Sequence, residues 1–507
     1  MVIHLTTIGE SHPTIANQFS YCSLHMGVLI LLLLFFLLLL IRFFFQLWRT
    51  KKLSHLISFY KNRNRLLEWF TELLAESPTN TIVVHRLGSR RTIVTANPSN
   101  VEYILKSNFF NFPKGKPFTH VLGDFLGNGI FNVDGDRWFS QRKVASHEFS
   151  ARSLREFLMY TLAEEVHGRL VPALEGVSYD GVLDLQEILA RFSFNVICKF
   201  AMGSGNVCSL DPCVPVSSLW RAFDVAAAIS ARRGAAPLFV IWKVKRLLRV
   251  GSERRLKEAV LEVHTHVMNM IHEKKKKKKK KKNKMMKSNR EDFMSRLICG
   301  GYEDDVIRDM VISFVMAGKD TTSAALTWFF WILSHYPNVE EKILKEAEAN
   351  EPLNYESLKR LNFLKACLCE SMRLFPPVAW DSKHALCDDV LPDGTVVKAG
   401  DRVTYFPYGM GRMEELWGLD RFEFRPERWY IGGKWSEVSP FKFPIFQAGP
   451  RVCLGKEMAF VQMKYVVVEI LKRFRIRPVS TNKPTFVPLL TAHMAGGLKI
   501  LISNREN

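Results

Sequence analysis

The stretch Phe446-Gln-Ala-Gly449-Pro-Arg451-Val-Cys453-Leu-Gly455 decides the fold of this chain, and Ala459 follows four residues beyond it. A single cysteine stands in a glycine-framed loop that leads straight into an apolar helical run, Met458 to Phe474. A thiolate can be an axial ligand of haem iron, where it pushes electron density onto the metal and favours O–O cleavage. The stretch therefore predicts a haem–thiolate loop in which Cys453 binds the iron.

The neighbours of the cysteine suit that task. Gly449 and Gly455 allow the backbone to turn tightly and to approach a porphyrin closely. A cysteine just ahead of a helix has amide N–H groups and a positive dipole end that hold it as thiolate. Arg451 lies where a fixed cation could meet a haem propionate, and Phe446 could shield the sulfur from water. A buried structural cysteine is the alternative, but it leaves the fixed offsets of these residues unexplained.

This decapeptide resembles the haem-binding signature of the cytochrome P450 family at every signature position. The resemblance implies a mainly α-helical fold with small β-sheets, the cytochrome P450 fold. It also implies haem b as cofactor, held by the Cys453 thiolate, and electrons from NADPH that arrive through NADPH–cytochrome P450 reductase as a partner.

Composition limits the other possibilities. The chain has 507 residues, 47% of them hydrophobic, so it can bury a large core. Its nine cysteines are irregularly spaced and form no zinc pattern, which favours a reduced, cytosol-facing body. The net charge of +21 includes the run Lys274 to Lys282, which predicts a solvated, disordered Lys-rich loop over 273–290. Contact with a membrane surface or partner is the alternative, and no nucleic-acid motif accompanies the run.

The N-terminal region predicts a membrane anchor. Residues 1–21 carry no Lys or Arg, and an apolar segment follows that reaches the roughly 20 residues needed to span a bilayer. Its positive charges, beginning with Arg42, follow the apolar run, whereas a cleaved signal peptide carries them ahead of it. The positive-inside rule then predicts a lumenal N-terminus (1–21), a signal-anchor helix in contact with membrane lipid (22–48) and a cytosolic catalytic domain (49–507). The resemblance adds the endoplasmic reticulum as the membrane.

Three further side chains are candidates for binding the haem carboxylates. Trp138 and Arg142 stand four residues apart on one predicted helix face, so an indole N–H and a guanidinium could bind one carboxylate together. A surface or core role is the alternative. In the resembled family a tryptophan–arginine pair on this helix binds a propionate. His384 falls where that family places a third propionate contact, with Lys383 as the fallback.

A long helix from about Glu303 to Tyr336 carries the second motif, Ala317-Gly318-Lys-Asp320-Thr321-Thr. Glycine and threonine are costly inside a helix, but a threonine hydroxyl can bond back to the preceding turn and a glycine permits a bulge, which predicts a groove. The motif resembles the oxygen-activation motif of cytochrome P450 enzymes. That resemblance implies that Thr321 holds water and Asp320 controls the delivery of protons; packing with a solvated aspartate is the alternative.

A structural motif supports the loop. Glu370 and Arg373 are an i, i+3 pair on a helix predicted from Leu361 to Phe375, and Arg428 follows later. As an exposed pair, Glu370 and Arg373 would contribute little. The resemblance implies instead that these three residues form a buried triad behind the cysteine loop.

Other stretches narrow the resemblance. Phe131–Asp136, Ala317–Trp328 and Thr404–Met413 look like the plant fatty-acid ω-hydroxylase group, and Pro376–His384 and Ala492–Lys499 are closer to its branch that oxidises jasmonoyl-isoleucine. This implies hydroxylation at the terminal carbon of a small amphipathic acid, with possible oxidation on to the carboxylic acid. The predicted substrate pocket consists of Phe314, Met316, Val378, Trp380, Leu490 and Met494.

Two other functions remain as alternatives. The first is an isomerase or dehydratase of lipid hydroperoxides, whose relatives disrupt both the acid–threonine pair and the cysteine loop. The second is a haem-binding sensor, which has no need of Asp320 and Thr321. Both motifs are intact here, which favours the monooxygenase.

Overall fold

The computed structural model describes residues 31–32, 34–39, 41–42, 52–85, 91–150, 152–176, 181–205, 207–236, 239–281, 292–431 and 434–505. The predicted lumenal segment (1–21) and most of the predicted anchor (22–48) lie outside these residues. Within the described part of the chain, no helix combines the length and the hydropathy that a membrane crossing requires. The anchor therefore stays a prediction.

The chain divides into two compact units, residues 1–64 with 85–87 and residues 65–84 with 88–507. Helix α1, Lys52–Lys61, belongs to the first unit. Every site residue predicted from the sequence belongs to the second unit.

The second unit is mainly α-helical, as predicted. Its α-helices are α2 Leu66–Glu76, α3 Pro98–Glu102, α4 Gly115–Leu126, α5 Gly135–Ser150, α6 Arg152–Glu165, α7 Val171–Glu175, α8 Leu185–Met202, α9 Ser218–Ala235, α10 Phe239–Leu248, α11 Ser252–Lys281, α12 Phe293–Cys299, α13 Asp304–Leu333, α14 Pro337–Glu348, α15 Tyr355–Arg360, α16 Asn362–Leu374, α17 Pro407–Met410, α18 Glu414–Trp417 and α19 Lys456–Arg473. Two π-helices, Tyr103–Ser107 and Val166–Leu170, continue α3 and α6.

The strands are short and form small sheets. They are β1 Thr81–Val84, β2 Thr92–Thr95, β3 Leu183–Asp184, β4 Asp381–His384, β5 Asp389–Val390, β6 Val396–Val397, β7 Arg402–Tyr405, β8 Tyr430–Ile431, β9 Lys434–Trp435, β10 Phe474–Pro478, β11 Phe486–Pro488, β12 Ala492–Met494 and β13 Lys499–Asn504. The largest sheet has the order β1-β2-β7-β4, in which β2 and β7 are parallel and the other neighbours are antiparallel. A second sheet has the order β10-β13-β3, and β11 pairs with β12 in a hairpin.

Helix α13 runs through two of the apolar clusters that form the core. Its first half buries residues such as Val311 and Val315 in one cluster, and its second half buries Leu326 and Phe329 in another. A side chain at Gly318 would place its Cβ 2.6 Å from Ile197 Cγ1, so the glycine lets α8 and α13 pack closely. The helix stays α-helical throughout, so Gly318 serves this packing and the predicted bulge is absent.

The lysine run differs from its prediction. Helix α11 continues through Lys281, so the first part of the predicted disordered loop (273–290) is helical, and residues 282–291 lie outside the described residues. Lys274 Nζ donates to Asp292 Oδ2 at 2.6 Å, and Lys275 forms an ion pair with Asp304. Lysine is a good helix former, and cations near a helix C-terminus interact favourably with its dipole.

Candidate active site

The cysteine loop leads directly into helix α19. The backbone N–H of Cys453 donates to the carbonyl of Phe446 at 2.8 Å, which closes the loop. Burial raises the pKa of the Cys453 thiol, while hydrogen bonds from the amides of Gly455 and Lys456 act in the opposite direction. The amides at the start of the helix therefore lie where a thiolate needs them.

Cys453 combines an accessible surface with a strong effect of burial. The residue is exposed, yet burial is the largest influence on the pKa of its thiol. Cys198, Cys367 and Cys369 differ in being buried within packed core. Cys213, Cys299 and Cys387 are also exposed, but only Cys453 stands in the loop that resembles the haem-binding signature, which favours a ligand role.

Tight contacts hold the loop in place. Gly449 has a φ of +65°, and a Cβ there would lie 2.0 Å from the carbonyl oxygen of Leu105 in the first π-helix. Only glycine allows both that backbone conformation and that approach. Gly455 has an ordinary φ of −82°. The ring of Phe446 packs against Phe460 at 5.2 Å between centroids.

The structure brings Trp138, Arg142 and Arg451 together. Arg451 donates to Asp134 Oδ1 at 2.7 Å and to the Val133 carbonyl at 3.0 Å, and its guanidinium lies 4.4 Å from the Trp138 ring centroid. Its Nε is buried and has no hydrogen-bond partner among the described residues. Burial lowers the pKa of Arg451, and the charge of Arg142 lowers it further.

Lys383, the alternative to His384 as a propionate contact, lies on strand β4. The Lys383 side chain is buried, and its Nζ lies 3.5 Å from Asp381 Oδ2 without a hydrogen-bond partner among the described residues. Burial lowers the pKa of Lys383 to about 7, and Arg451 contributes to that shift. The His384 ring instead hydrogen-bonds the Lys114 carbonyl through Nδ1 at 2.6 Å. Neighbouring residues of a strand point to opposite faces, so Lys383 and His384 lie on different sides of β4. The propionate contact of His384 stays a prediction.

These residues fit a haem. Arg142, Arg451 and Lys383 all have lowered pKa values, and two of their buried nitrogen atoms lack acceptors within the described part of the chain. Asp134 and Asp381 lie beside this cluster, and its unpaired donors suit a further anion such as the carboxylates of a haem. The accessible Cys453 sulfur is the matching soft ligand for its iron.

The acid–alcohol motif lies on α13. Thr321 Oγ1 donates to the Ala317 carbonyl at 2.6 Å, which is the predicted bond to the preceding turn. Asp320 is buried, not solvated, and its Oδ1 accepts from Lys319 Nζ at 2.7 Å. Burial works against the charge of Lys319, but Asp320 and Asp224 outweigh it and raise the Lys319 pKa. Asp224 lies on α9, and nothing in its local sequence marks it as a partner of the motif.

The predicted triad is present and buried. Glu370 accepts from Arg373 Nε at 2.8 Å and Nη2 at 2.7 Å, and from Arg428 Nε at 3.1 Å. Glu370 and Arg373 are fully buried. Trp429 Nε1 adds a hydrogen bond to Glu370 at 3.1 Å that the sequence analysis missed.

The predicted pocket residues are divided among the apolar clusters. Phe314, Met316 and Leu490 belong to one cluster, together with Leu454 beside the cysteine. Trp380 packs in another cluster, where its ring stacks on Phe406 at 6.0 Å. Val378 is half-buried. Met494 is only 2% exposed and belongs to the third cluster, and its place in the pocket stays a prediction.

Three features together are typical of a haem–thiolate enzyme: an accessible cysteine just ahead of a helix, a cluster of partly unpaired cations and a long helix with an acid–alcohol pair. The model of the family described as Cytochrome P450 matches residues 55–496, and the chain belongs to that family. It is a monooxygenase that uses haem with a thiolate ligand and electrons supplied by a reductase.

Curated relatives confirm the resemblance at the level of family and group. Cytochrome P450 94B1 of Arabidopsis thaliana is 57% identical over 464 residues, which are 90% of this chain and 90% of that protein. Cytochrome P450 94B3 of the same plant is 55% identical over 464 residues, 90% of this chain and 91% of the relative. Cytochrome P450 94A1 of Vicia sativa is 44% identical over 466 residues, 90% of each chain.

A solved structure confirms the predicted fold. The crystal structure of cytochrome P450DA heme domain superposes with a TM-score of 0.74 and covers 87% of this chain and 94% of that one. At 18% sequence identity the match shows the fold alone.

Proposed function

We propose that this protein hydroxylates the terminal carbon of an amphipathic acid, a fatty acid or jasmonoyl-isoleucine, and can oxidise the alcohol further to the carboxylic acid. The observation that carries the proposal is the similarity to cytochromes P450 94B1 and 94B3 over 90% of the chain. It is joined by the stretches Pro376–His384 and Ala492–Lys499, which resemble the jasmonoyl-isoleucine branch.

Cys453 supplies the thiolate ligand in this proposal. Arg451, Trp138 and Arg142 hold the carboxylates of the cofactor, together with His384 or its fallback Lys383. The Arg451 guanidinium lies against the Trp138 ring, and Arg451 Nε and Lys383 Nζ are buried without a partner among the described residues. When bound, the haem activates molecular oxygen with electrons from the reductase. The other steps belong to the protein, which binds the substrate, excludes water and moves protons.

Thr321 and Asp320 deliver those protons. The Thr321 hydroxyl can hold a water molecule beside the reacting centre, and the Asp320 carboxylate can pass protons to it. Asp320 is tied to Lys319 at 2.7 Å, so a proton reaches the relay when that ion pair loosens.

Terminal selectivity comes from positioning. A terminal methyl has stronger C–H bonds than the methylenes behind it, so an unconstrained reaction attacks within the chain. A pocket that admits only the chain end overrides this preference by holding one carbon at the reacting centre. Phe314, Met316 and Leu490 share one apolar cluster and are bulky enough to form such a constriction, with Val378 and Trp380 on a neighbouring segment.

The test uses the full chain with haem, NADPH–cytochrome P450 reductase and NADPH, offered a series of fatty acids and jasmonoyl-isoleucine. We expect substrate-dependent oxygen uptake and products hydroxylated at or near the terminal carbon by mass spectrometry. Mainly mid-chain products would contradict the constriction. A hydroperoxide isomerase would turn over lipid hydroperoxides without NADPH, and a sensor would consume no oxygen.

Two variants separate the parts of the proposal. Cys453→Ser should abolish the ferrous–CO absorbance typical of thiolate ligation, because a serine oxygen cannot replace the sulfur donor. Trp380→Ala should spread products toward the carbons behind the terminal one, while Leu419→Ala, on an exposed surface position, should not. An unchanged product ratio in Trp380→Ala would remove that residue from the constriction.

The proposed location is the endoplasmic reticulum membrane, with one anchor and a cytosolic catalytic domain. Its support is the apolar run over residues 22–48 and the positive charges that follow it. Protease treatment of intact microsomes tests it: a cytosolic domain is digested, and a protected one would overturn the orientation.

A further inference from the structure

One carboxylate joins three helices at the edge of an apolar cluster. Asp124, on α4, accepts from Arg233 of α9 and from Arg246 of α10. Arg233 Nη1 lies 2.8 Å from Asp124 Oδ2, and Arg246 Nη2 lies 2.9 Å from Oδ1. Each oxygen of Asp124 is therefore bound by a different guanidinium.

The Arg233 guanidinium does not depend on Asp124 for its position. Its Nε donates to Glu253 Oε1 at 3.1 Å, Nη2 also contacts Glu253, and Nη1 lies 3.3 Å from the Val121 carbonyl. Burial works against the charge of Arg233, but Glu253 and Asp124 outweigh it and hold its pKa above the ordinary value. Arg233 thus remains a fixed cation if Asp124 moves away.

A third donor in this cluster lacks an acceptor. Trp242, on α10, lies with its ring centroid 4.8 Å from the Arg233 guanidinium. The indole is buried, and its Nε1 has no hydrogen-bond partner among the described residues. An indole N–H can only donate, and leaving a buried donor unpaired is unfavourable. Two guanidiniums beside a buried indole whose N–H is unpaired offer a donor set for a carboxylate.

The donor set borders the apolar cluster that extends to the cysteine loop. Val121, whose carbonyl faces Arg233, belongs to the apolar cluster that also contains Phe314, Met316 and Leu490. The same cluster reaches Leu454, the residue after Cys453. Apolar side chains with cations at the outer edge complement a molecule that has an apolar chain and one carboxylate.

We propose that Arg233, Arg246 and Trp242 bind the carboxylate of the substrate, and that Asp124 occupies this site until the substrate arrives. The inference rests on the proposed function, since it needs an acid as substrate. The incoming carboxylate replaces that of Asp124 on both guanidiniums and accepts a hydrogen bond from the unpaired N–H of Trp242. The Asp124 side chain is 32% exposed and that of Arg246 52%, so the displaced carboxylate has access to water.

A purely structural ion pair between helices is the competing explanation, because part-exposed pairs contribute little to affinity or stability. The two explanations differ for ligands that lack the charge. If the cluster only joins helices, its variants should affect acids and their esters alike. If it binds the substrate, only the acids should respond.

The experiment is an equilibrium titration of the haem-loaded full chain, in which lauric acid, jasmonoyl-isoleucine and the methyl ester of each shift the haem absorbance. Arg246→Ala should weaken binding of the acids by about ten-fold or more, as loss of a charge-assisted hydrogen bond does, and leave the esters unchanged. Asp124→Asn should strengthen binding of the acids because the competing anion is removed. Arg246→Lys should restore part of the affinity.

Controls keep the outcomes distinct. Arg254 pairs with Glu258 on the exposed surface of α11, so Arg254→Ala removes a comparable charge without touching the site. A normal ferrous–CO spectrum shows that each variant is folded. Equal effects on acid and ester, or none in Arg246→Ala, would overturn the inference. A wild-type protein that binds neither acid would instead overturn the proposed substrate class.

Discussion

Replacing Glu370 by glutamine tests how the cysteine loop is supported. The fully buried carboxylate accepts five hydrogen bonds: two from Arg373, one from Arg428, one from Trp429 Nε1 and one from the backbone N–H of Arg425. Glutamine keeps the volume, but it removes the charge and turns an N–H₂ group toward guanidinium donors. Arg373, itself fully buried, then has no anion.

The expected cost follows from that burial. Removing one partner of a buried ion pair typically costs about 3–5 kcal/mol of the free energy of unfolding, since the other charge stays buried without compensation. Arg373 keeps its hydrogen bonds to the carbonyls of Gly411 at 2.5 Å, Arg421 at 2.6 Å and Glu423 at 3.0 Å. These neutral acceptors satisfy its donors but do not balance its charge, so we expect most of the cost to remain.

The assay is urea unfolding of the haem-loaded protein, followed by circular dichroism and by the ferrous–CO absorbance. Glu356→Gln is the matched control, because Glu356 pairs with Lys359 at the same i, i+3 spacing on an exposed surface. We expect little change there. If Glu370→Gln costs less than about 1 kcal/mol, the carbonyl acceptors suffice and the triad is not needed for the stability of the loop.

Three other predictions follow from the same contacts. Thr321→Ala should keep haem and substrate binding, while the electrons of NADPH go to hydrogen peroxide instead of product. If the ratio of product formed to NADPH consumed is unchanged, Thr321 has only a packing role. Lys274→Ala should lower Tm more than Lys278→Ala, because Lys274 pairs with Asp292 at 2.6 Å and Lys278 is exposed; equal Tm values would contradict this. Burial lowers the pKa of Lys464 to about 8, below the unfolded value of about 10.4. The folded state therefore binds protons less readily, and its stability should rise with pH from 8 to 10.4. Lys464→Met removes this dependence. The Tm of the variant minus that of the wild type should therefore be largest below pH 8 and should fall as the pH rises to 10.4. A difference that stays constant with pH would refute the lowered pKa of Lys464.

Local patterns in the sequence were sufficient to predict much of the site. The loop around Cys453, the back-bonded Thr321 and the long helix that carries it depend on neighbours within a few residues, and the structure has them as predicted. The cap of helix α3 is equally local, since the Asn97 side chain accepts from the amide of Ser99 at 2.9 Å. The Glu370 triad was predicted through the family resemblance, although its third residue is far along the chain.

Tertiary structure decided the features whose partners lie far apart without a local pattern. Asp224 reaches Lys319 across 95 positions of sequence, and Asp124 reaches Arg246 across 122. His384 likewise reaches the Lys114 carbonyl across 270 positions. A single sequence contains helix periodicity and turn chemistry, because these arise between near neighbours. It does not show which helix packs against which. Burial, charge pairing and pKa values depend on that packing, so only the tertiary structure sets them.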